Sequence, residues 1–149
     1  RGANDIVGRN SRCDHFQASI LHLKLKEIEH QNELRKKVAT QYFDLLNNSS
    51  IKLLNKEYLK TRSWHIFPVK LPSSSACQRL KNLLDDSKIG SSIFFYDKAM
   101  SQMGALQNCL GEKRFAEEFA GSILSLPINP YLSTDQVEFV AKTVNSFEL

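Results

Sequence analysis

The feature that most limits how this chain can fold is a long helix signal near its start. Asp14-His15-Phe16-Gln17 has the form of a capping box, because the Asp14 carboxylate can accept from the backbone N–H of Gln17 while the Gln17 side chain reaches back. Asn47-Asn48-Ser49-Ser50 is a polar stretch that ends the helix. Between these two signals, one helical stripe collects the apolar residues Leu21, Leu25, Ile28, Val38, Tyr42 and Leu45. The middle of the helix, residues 29–33, is polar, so we expect the helix to bend there or to leave the core.

A strand is predicted next, over Ser63 to Leu71. Alternation assigns its apolar side chains to two faces, one with Phe67, Val69 and Leu71 and the other with Trp64 and Ile66. Pro68 has no N–H to give to a ladder, so this strand belongs at the edge of a sheet or at a bulge.

The remaining segments alternate between helix and strand. We predict a helix from Ser73-Ser74-Ser75, a strand over Gly90 to Tyr96, a short helix holding Phe115 and Phe119, an extended piece over Leu124 to Ile128, and a final helix after the capping box Ser133 to Gln136. This order predicts an α+β fold, in which a small antiparallel or mixed sheet is covered by helices.

Composition argues against several classes of function. The formal charge is +4, but basic and acidic residues are interleaved, as in Lys24-Leu25-Lys26-Glu27, so no nucleic-acid-binding arm is indicated. The three cysteines, Cys13, Cys77 and Cys109, are widely spaced and form no Cys-x-x-Cys pair, which fits reduced thiols in a cytoplasmic protein. We expect no membrane span, because no apolar run approaches the roughly 20 residues that a span needs, and no signal peptide.

The residues alone indicate no catalytic chemistry. Glycine-rich nucleotide loops, P-loops and the common protease and hydrolase motifs are absent. His22 and His30 share a helix about two turns apart, which is too far for one zinc ion. We predict no metal site, and on these grounds alone the chain is a soluble α+β domain.

Four segments, taken in order, carry more information. Gly8 to Leu21 reads Gly-Arg-Asn-Ser-Arg-Cys-Asp-His-Phe-Gln-Ala-Ser-Ile-Leu, which is similar to the pattern G-x-N-S-R-(L/M)-D-x-x-Q-A-A-I-L. The later segments are Ser63 to Phe67, Ile89 to Phe95 and Leu124 to Ser133, the last reading Leu-Ser-Leu-Pro-Ile-Asn-Pro-Tyr-Leu-Ser. Together they resemble the C-terminal portion of the pyridoxal-phosphate-dependent, DegT/StrS-type nucleotide-sugar aminotransferases.

The resemblance implies a parent enzyme that is a fold-type-I homodimer and moves an amino group from glutamate to a keto sugar on a nucleotide, in polysaccharide or related amino-sugar biosynthesis. The family's cofactor lysine lies upstream of the matching segment, so this chain lacks it and alone should neither hold pyridoxal 5'-phosphate nor catalyse. The resemblance also divides the chain into residues 1–13, a loop from the missing large domain, residues 14–47, a connecting helix, and residues 51–149, a small α/β domain. The sequence does not say which sugar or carbon is aminated.

The resemblance assigns two candidate residues to the loop before the helix. Asn10 matches the asparagine that reaches across the dimer to the cofactor phosphate, a role that suits an amide because its NH2 donates without adding charge. The alternative is that Asn10 only shapes the turn. Arg12 can grip a phosphate or carboxylate with two parallel bonds, or it can pair with Asp14 or a helix end.

Three more candidates for substrate binding lie in the small domain. His65 either touches substrate or is a hydrogen-bonded structural histidine. Phe95 stands where the family often carries tyrosine or histidine, so the ring either lines the sugar pocket or packs as part of a strand. Tyr96 is placed to supply the missing hydroxyl one position later. The family's P-x-P-L-H continuation is absent here, which leaves substrate identity open.

Two classes of function remain in competition. In the first, the chain is the C-terminal domain of an aminotransferase, cut from a longer enzyme or made from a split gene. In the second, it is a catalytically inactive remnant, or an interaction module whose long helix docks against a partner. A lysine in a strand-loop context upstream of Gly8 would decide for the first.

Overall fold

A computed structural model describes residues 13–93, 98–103 and 114–149. Their α-helices are α1 (His15–Leu25), α2 (Ile28–Leu45), α3 (Ser74–Asp86), α4 (Arg114–Phe119) and α5 (Thr134–Asn145). Their strands are β1 (Phe67–Lys70) and β2 (Ile123–Leu126), and 3-10 helices cover Lys56–Lys60 and Met100–Gln102. The predicted α+β class is confirmed.

The sheet is built on one antiparallel pair. β1 pairs with β2, with Phe67 opposite Leu126 and Val69 opposite Leu124. Single bridges extend the sheet on both sides, from Lys52 to Lys70 beyond β1 and from Ser92 to Ser125 beyond β2. The predicted strand over residues 90–96 is represented by the Ser92 bridge, and residues 94–96 lie outside the described part of the chain.

Pro68 occupies the position that its chemistry allows. Lys70 and Lys52 exchange both backbone hydrogen bonds, at 2.9 and 2.8 Å, so the peptide of Lys70 faces away from β2. Peptide groups two residues apart in an antiparallel strand point to the same side, so Pro68 also faces away from β2. The N–H that proline lacks is therefore not needed for the ladder, and the predicted edge position is confirmed.

One face of the sheet carries the core. The side chains that point to this face and are buried are Phe67, Val69, Leu124 and Leu126. Helices α2, α3 and α5 supply most of the other residues of the buried cluster, through Tyr42, Leu80, Leu84, Val137 and Val144 among others. On the opposite face the Lys70 ammonium lies 3.6 Å from the ring centroid of Phe119 in α4. A two-stranded sheet gains independent stability only when packed in this way.

Side-chain caps fix where three helices begin. The Gln17 backbone N–H donates to Asp14 Oδ1 at 2.8 Å, and the Asp14 N–H donates to Gln17 Oε1 at 3.4 Å, so the first predicted capping box is confirmed. Ser133 and Gln136 form the second box at the start of α5. Ser73 caps α3 by accepting from the Ala76 N–H at 3.2 Å. Each cap satisfies backbone donors that have no partner inside the helix.

The long N-terminal helix is not continuous. It is interrupted at Lys26 and Glu27, where backbone bonds of the tighter i to i−3 kind replace the α-helical pattern. The break precedes the polar residues 29–33 at which we expected a bend. Of the predicted stripe, Val38 and Tyr42 in α2 are buried, whereas Leu21 and Leu25 in α1 are 53% and 64% exposed. The proposed division into loop, connecting helix and small domain stays a prediction.

Helix α1 has no buried residue at all. Its apolar side chains lie on two opposite sides, with Phe16, Ile20 and Leu23 on one and Leu21 and Leu25 on the other. All five are exposed. A helix that is apolar around much of its circumference normally lies inside a larger structure, so α1 lacks its cover here. Among the described residues, no helix is long and apolar enough to cross a membrane.

Two asparagines join the C-terminal ends of α2 and α5. Asn48 Nδ2 donates to the backbone oxygens of Val144 and Phe147, at 3.0 and 2.7 Å. In return, Asn145 Nδ2 donates to the Leu45 carbonyl at 2.9 Å. These carbonyls lie at or just beyond helix ends, where no backbone N–H is available within the helix. The asparagine pair therefore fixes α5, the last helix, against α2.

We predict that Asn48→Ala lowers the stability of the chain by about 1–3 kcal/mol, because the half-buried Phe147 carbonyl loses the Asn48 donor, whereas the Val144 carbonyl still accepts from the Phe147 N–H. Asn47→Ala is the matched control, since the neighbouring asparagine contributes its backbone N–H to Asn145 Oδ1 rather than a side-chain bond. Chemical denaturation of both variants measures the difference. Equal midpoints for the two variants would show that the Asn48 amide is not needed.

We also predict that the isolated chain self-associates through α1. Replacing Leu21 and Leu25 with glutamate should reduce association, because the exposed apolar area that drives it is removed. Lys24→Glu is the control for charge alone. Light scattering over a wide concentration range is the measurement, and a monodisperse wild-type monomer throughout that range would contradict the prediction.

Candidate functional site

The structure places one of the five predicted site residues. Asn10, Arg12, Phe95 and Tyr96 lie outside the described residues, and His65 lies within them. His65 is exposed, in the segment that joins the 3-10 helix Lys56–Lys60 to β1. Within the described residues, the candidate site is therefore the segment around His65.

The predicted strand over residues 63–71 is wrong in its first half. β1 begins at Phe67, because Trp64 adopts a left-handed backbone conformation with φ of 51°. This residue cannot continue an extended strand. The predicted faces change as a result. Trp64 is buried with 2% exposure and Ile66 is 42% exposed, so the two do not share a face.

Trp64 belongs to an aromatic cluster between α2 and β1. Its ring centroid lies 5.6 Å from that of Phe43, at an interplanar angle of 81°, and 5.6 Å from that of Phe67. Phe67 in turn lies 4.9 Å from Tyr42. Tilted and edge-to-face arrangements at these distances are favourable for aromatic pairs. The backbone beside His65 is thus held by rings from two separate elements.

Tyr42 is the polar member of this cluster. Its hydroxyl donates to the Pro127 carbonyl at 2.8 Å. Burial raises the pKa of the Tyr42 phenol well above its usual range, so the group stays neutral as a hydrogen-bond donor. Tyr42 therefore has a structural role, because it connects α2 to the chain that leaves β2. It has no role in proton transfer.

Basic side chains precede His65 along the chain. The Arg62 guanidinium lies 4.6 Å from the ring centroid of Tyr58, and both residues are exposed. The Lys56 ammonium forms an ion pair with the Asp44 carboxylate, with 2.5 Å between Nζ and Oδ1. An exposed imidazole that follows a stacked guanidinium can donate to hydroxyl or phosphate oxygens. The segment is thus chemically suited to a polar, anionic ligand.

The structure does not bring His65 together with the described start of the Phe95 segment. Ser92 pairs with Ser125 in an antiparallel bridge, and Ser125 lies opposite Pro68. The chain at Ile93 therefore runs parallel to β1. It leads away from the N-terminal end of β1, which His65 precedes.

The described lysines do not have the surroundings of a Schiff-base lysine. Every lysine among them is exposed or half-buried, whereas an amine that attacks a carbonyl is normally activated in a desolvated pocket. Cys77 is fully buried, and burial raises the pKa of its thiol to about 11, so it is a core residue rather than a nucleophile. No metal-ligating group of three or more side chains occurs in residues 13–93, 98–103 and 114–149.

Comparison with known proteins supplies what this geometry lacks. Residues 1–145 match the DegT/DnrJ/EryC1/StrS aminotransferase family. The chain is 29% identical over 144 residues to dTDP-3-amino-3,6-dideoxy-alpha-D-galactopyranose transaminase of Aneurinibacillus thermoaerophilus, with 97% of this chain and 39% of the relative covered. It therefore spans about two fifths of the length of that relative.

Solved structures agree with the sequence match. A DegT DnrJ EryC1 StrS aminotransferase from Brucella abortus superposes with a TM-score of 0.76 at 26% identity, covering 93% of this chain and 36% of that one. DesV of S. venezuelae superposes with a TM-score of 0.76 at 28% identity, covering 93% and 37%. The arrangement of helices around the small sheet is thus that of one part of these aminotransferases.

We predict that the isolated chain forms no covalent adduct with pyridoxal phosphate at a single lysine, because the described lysines lie in no desolvated pocket. Visible absorbance followed by borohydride reduction and peptide mass mapping is the measurement. Scattered, substoichiometric labelling of surface lysines is the expected result. Stoichiometric labelling of one lysine would contradict it.

Proposed function

The chain belongs to the DegT/DnrJ/EryC1/StrS aminotransferase family, and we propose that it is the C-terminal part of an enzyme that transfers an amino group from glutamate to a nucleotide-linked keto sugar. The observation that carries this proposal is the family match over residues 1–145, which includes the loop, the helix and the sheet in order. The relative from Aneurinibacillus thermoaerophilus is named for a dTDP-linked amino sugar, so a dTDP-linked 3-keto sugar is the first substrate to test.

In this proposal the chain contributes to a site that other parts of the protein complete. The cofactor lysine of the family lies upstream of the matching segment, and this chain spans 39% of the relative, so the cofactor and its lysine are assigned to the upstream part of a longer polypeptide. Asn10 donates to the cofactor phosphate of the partner subunit in a cytoplasmic homodimer. Arg12, His65, Phe95 and Tyr96 contact the nucleotide sugar.

The chemistry of His65 supports its place among the substrate contacts. Its imidazole is exposed at the start of β1 and follows Arg62, which is stacked on Tyr58. A sugar nucleotide presents hydroxyl groups and a diphosphate, and imidazole and guanidinium donors suit both.

A second candidate function rests on α1. This helix exposes apolar side chains on two sides, as a docking helix does. If the chain is made without an upstream domain, it acts as a binding module for another protein and not as an enzyme.

The two candidates differ in one experiment. The full-length protein that contains this chain is purified and incubated with glutamate and a dTDP-linked 3-keto sugar, and amino-sugar product is measured by mass spectrometry. Formation of the product supports the aminotransferase. Production in cells of the 149-residue chain alone, with no longer form, together with absence of product, supports the binding module.

We predict that Asn10→Ala in the full-length protein weakens pyridoxal phosphate binding by about ten- to a hundred-fold, because a hydrogen bond to a charged group is worth roughly 1.5–3 kcal/mol. Asn10→Asp should bind more weakly still, since a carboxylate beside a phosphate adds repulsion to the lost donor. Cofactor titration by fluorescence is the measurement, with thermal melts of the cofactor-free forms as the control. If both variants keep the wild-type affinity, Asn10 is not in the site. If both variants instead lose thermal stability to the same extent in the cofactor-free form, Asn10 has a turn-shaping role.

A further inference from the structure

Three residues in the described part of the chain have a positive φ: Trp64, Lys88 and Gly121. Gly121 has no side chain to strain. Lys88 follows the C-terminal cap of α3. Its N–H donates to the Asp85 carbonyl at 2.9 Å, and the Ile89 N–H donates to the Leu84 carbonyl at 2.8 Å. This is the usual left-handed end of a helix. Trp64 ends no helix, and a bulky residue rarely adopts this conformation, so its backbone requires another explanation.

The left-handed residue decides which side chain enters the core. In an extended strand, residues two apart lie on the same face, so His65 would join Phe67 and Val69 in the buried face and Trp64 would be turned outward. The observed arrangement is the reverse, with Trp64 buried and His65 exposed. The left-handed residue Trp64 and the bend that follows it at His65 together break the alternation, so the two side chains are exchanged.

Packing holds this conformation in place. The Trp64 ring rests against Phe43 and Phe67, each with centroids 5.6 Å away. Its Nε1 is buried with no hydrogen-bond partner among the described residues. A buried N–H without a partner is destabilising, so the stabilisation of this conformation comes from the ring contacts. Strained backbones of this kind persist when the surroundings over-determine them, and they concentrate at functional sites.

We propose that Trp64 is a positioning residue, whose buried ring fixes a left-handed backbone and thereby turns the His65 imidazole out of the core toward the nucleotide sugar. The inference rests on the proposed function for the part that concerns the sugar. The exchange of the two side chains is a property of the fold and can be tested separately.

A double-mutant cycle in the full-length protein tests the coupling. Trp64→Val removes the ring and introduces a β-branched residue that disfavours a positive φ. His65→Ala removes the imidazole. Each single change should raise the KM for the nucleotide sugar by about ten-fold, as expected for one lost bond to a charged group. The double variant should show no further rise, because both changes remove the same contact. Fold-changes that multiply, or an unchanged KM in Trp64→Val beside a raised KM in His65→Ala, would overturn the proposal.

Two further variants separate positioning from general destabilisation. Val137→Ala opens a gap elsewhere in the core, on α5, and should lower the melting temperature without changing the KM. Trp64→Phe keeps an aromatic ring that can contact Phe43 and Phe67, and should retain most of the wild-type KM. If Val137→Ala raises the KM as much as Trp64→Val does, the part played by Trp64 is only structural.

The accessibility of His65 provides a readout that does not depend on the substrate. The rate at which diethyl pyrocarbonate modifies His65 is followed by peptide mass mapping in the substrate-free full-length protein. Trp64→Val should slow this reaction relative to wild type, because restored alternation turns the imidazole inward. An equal rate would overturn the positioning role. A slowed reaction together with an unchanged KM in His65→Ala would keep the positioning role and remove His65 from the proposed substrate site.

Discussion

The contact on which the rest of the fold depends is the one between Tyr42 and Phe67. Tyr42 brings α2 onto the sheet through its ring, 4.9 Å from that of Phe67, and its hydroxyl reaches the Pro127 carbonyl where the chain leaves β2. One side chain thereby relates a helix, a strand and the segment that leads to α5. Because α5 also packs against α2, the order of the layers follows from this junction. The same cluster holds Trp64 and so fixes the His65 segment.

Local signals in the sequence predicted much of this fold correctly. The capping boxes at Asp14 and Ser133 involve residues only three apart, so their hydrogen bonds depend on nothing distant. The buried side chains of β1 were likewise predicted, because alternation is a property of any strand with one face covered. The start of β1 was not predicted, since the left-handed Trp64 is stabilised by Phe43 in α2, a contact that no local pattern reports. The break at Lys26 was also missed, and the sequence there contains neither proline nor glycine.

The candidate site was less accessible to sequence reasoning than the fold. Periodicity and composition gave no catalytic residue, and the five candidates came from a resemblance to a family. His65 alone lies within the described residues, and the physical reason for its exposure, the turn at Trp64, is not a feature of its own side chain. Sites assembled from several parts of a chain, or from two subunits, leave no single spacing that a sequence can display. The one local sign of the site in the sequence was that a bulky residue, Trp64, stands next to His65 just before β1.

The position of Pro68 has a consequence for how this protein avoids unwanted assembly. The outer side of β1 is a sheet edge, and an edge with free N–H groups can recruit a strand from another molecule. Here Lys52 occupies the place beside Lys70, and at the next outward-facing position proline offers no donor. A foreign strand would therefore find one site taken and the other able to accept a hydrogen bond but not to donate one. A proline that costs the native ladder nothing thus makes strand addition at this edge, and with it amyloid-like growth, less favourable.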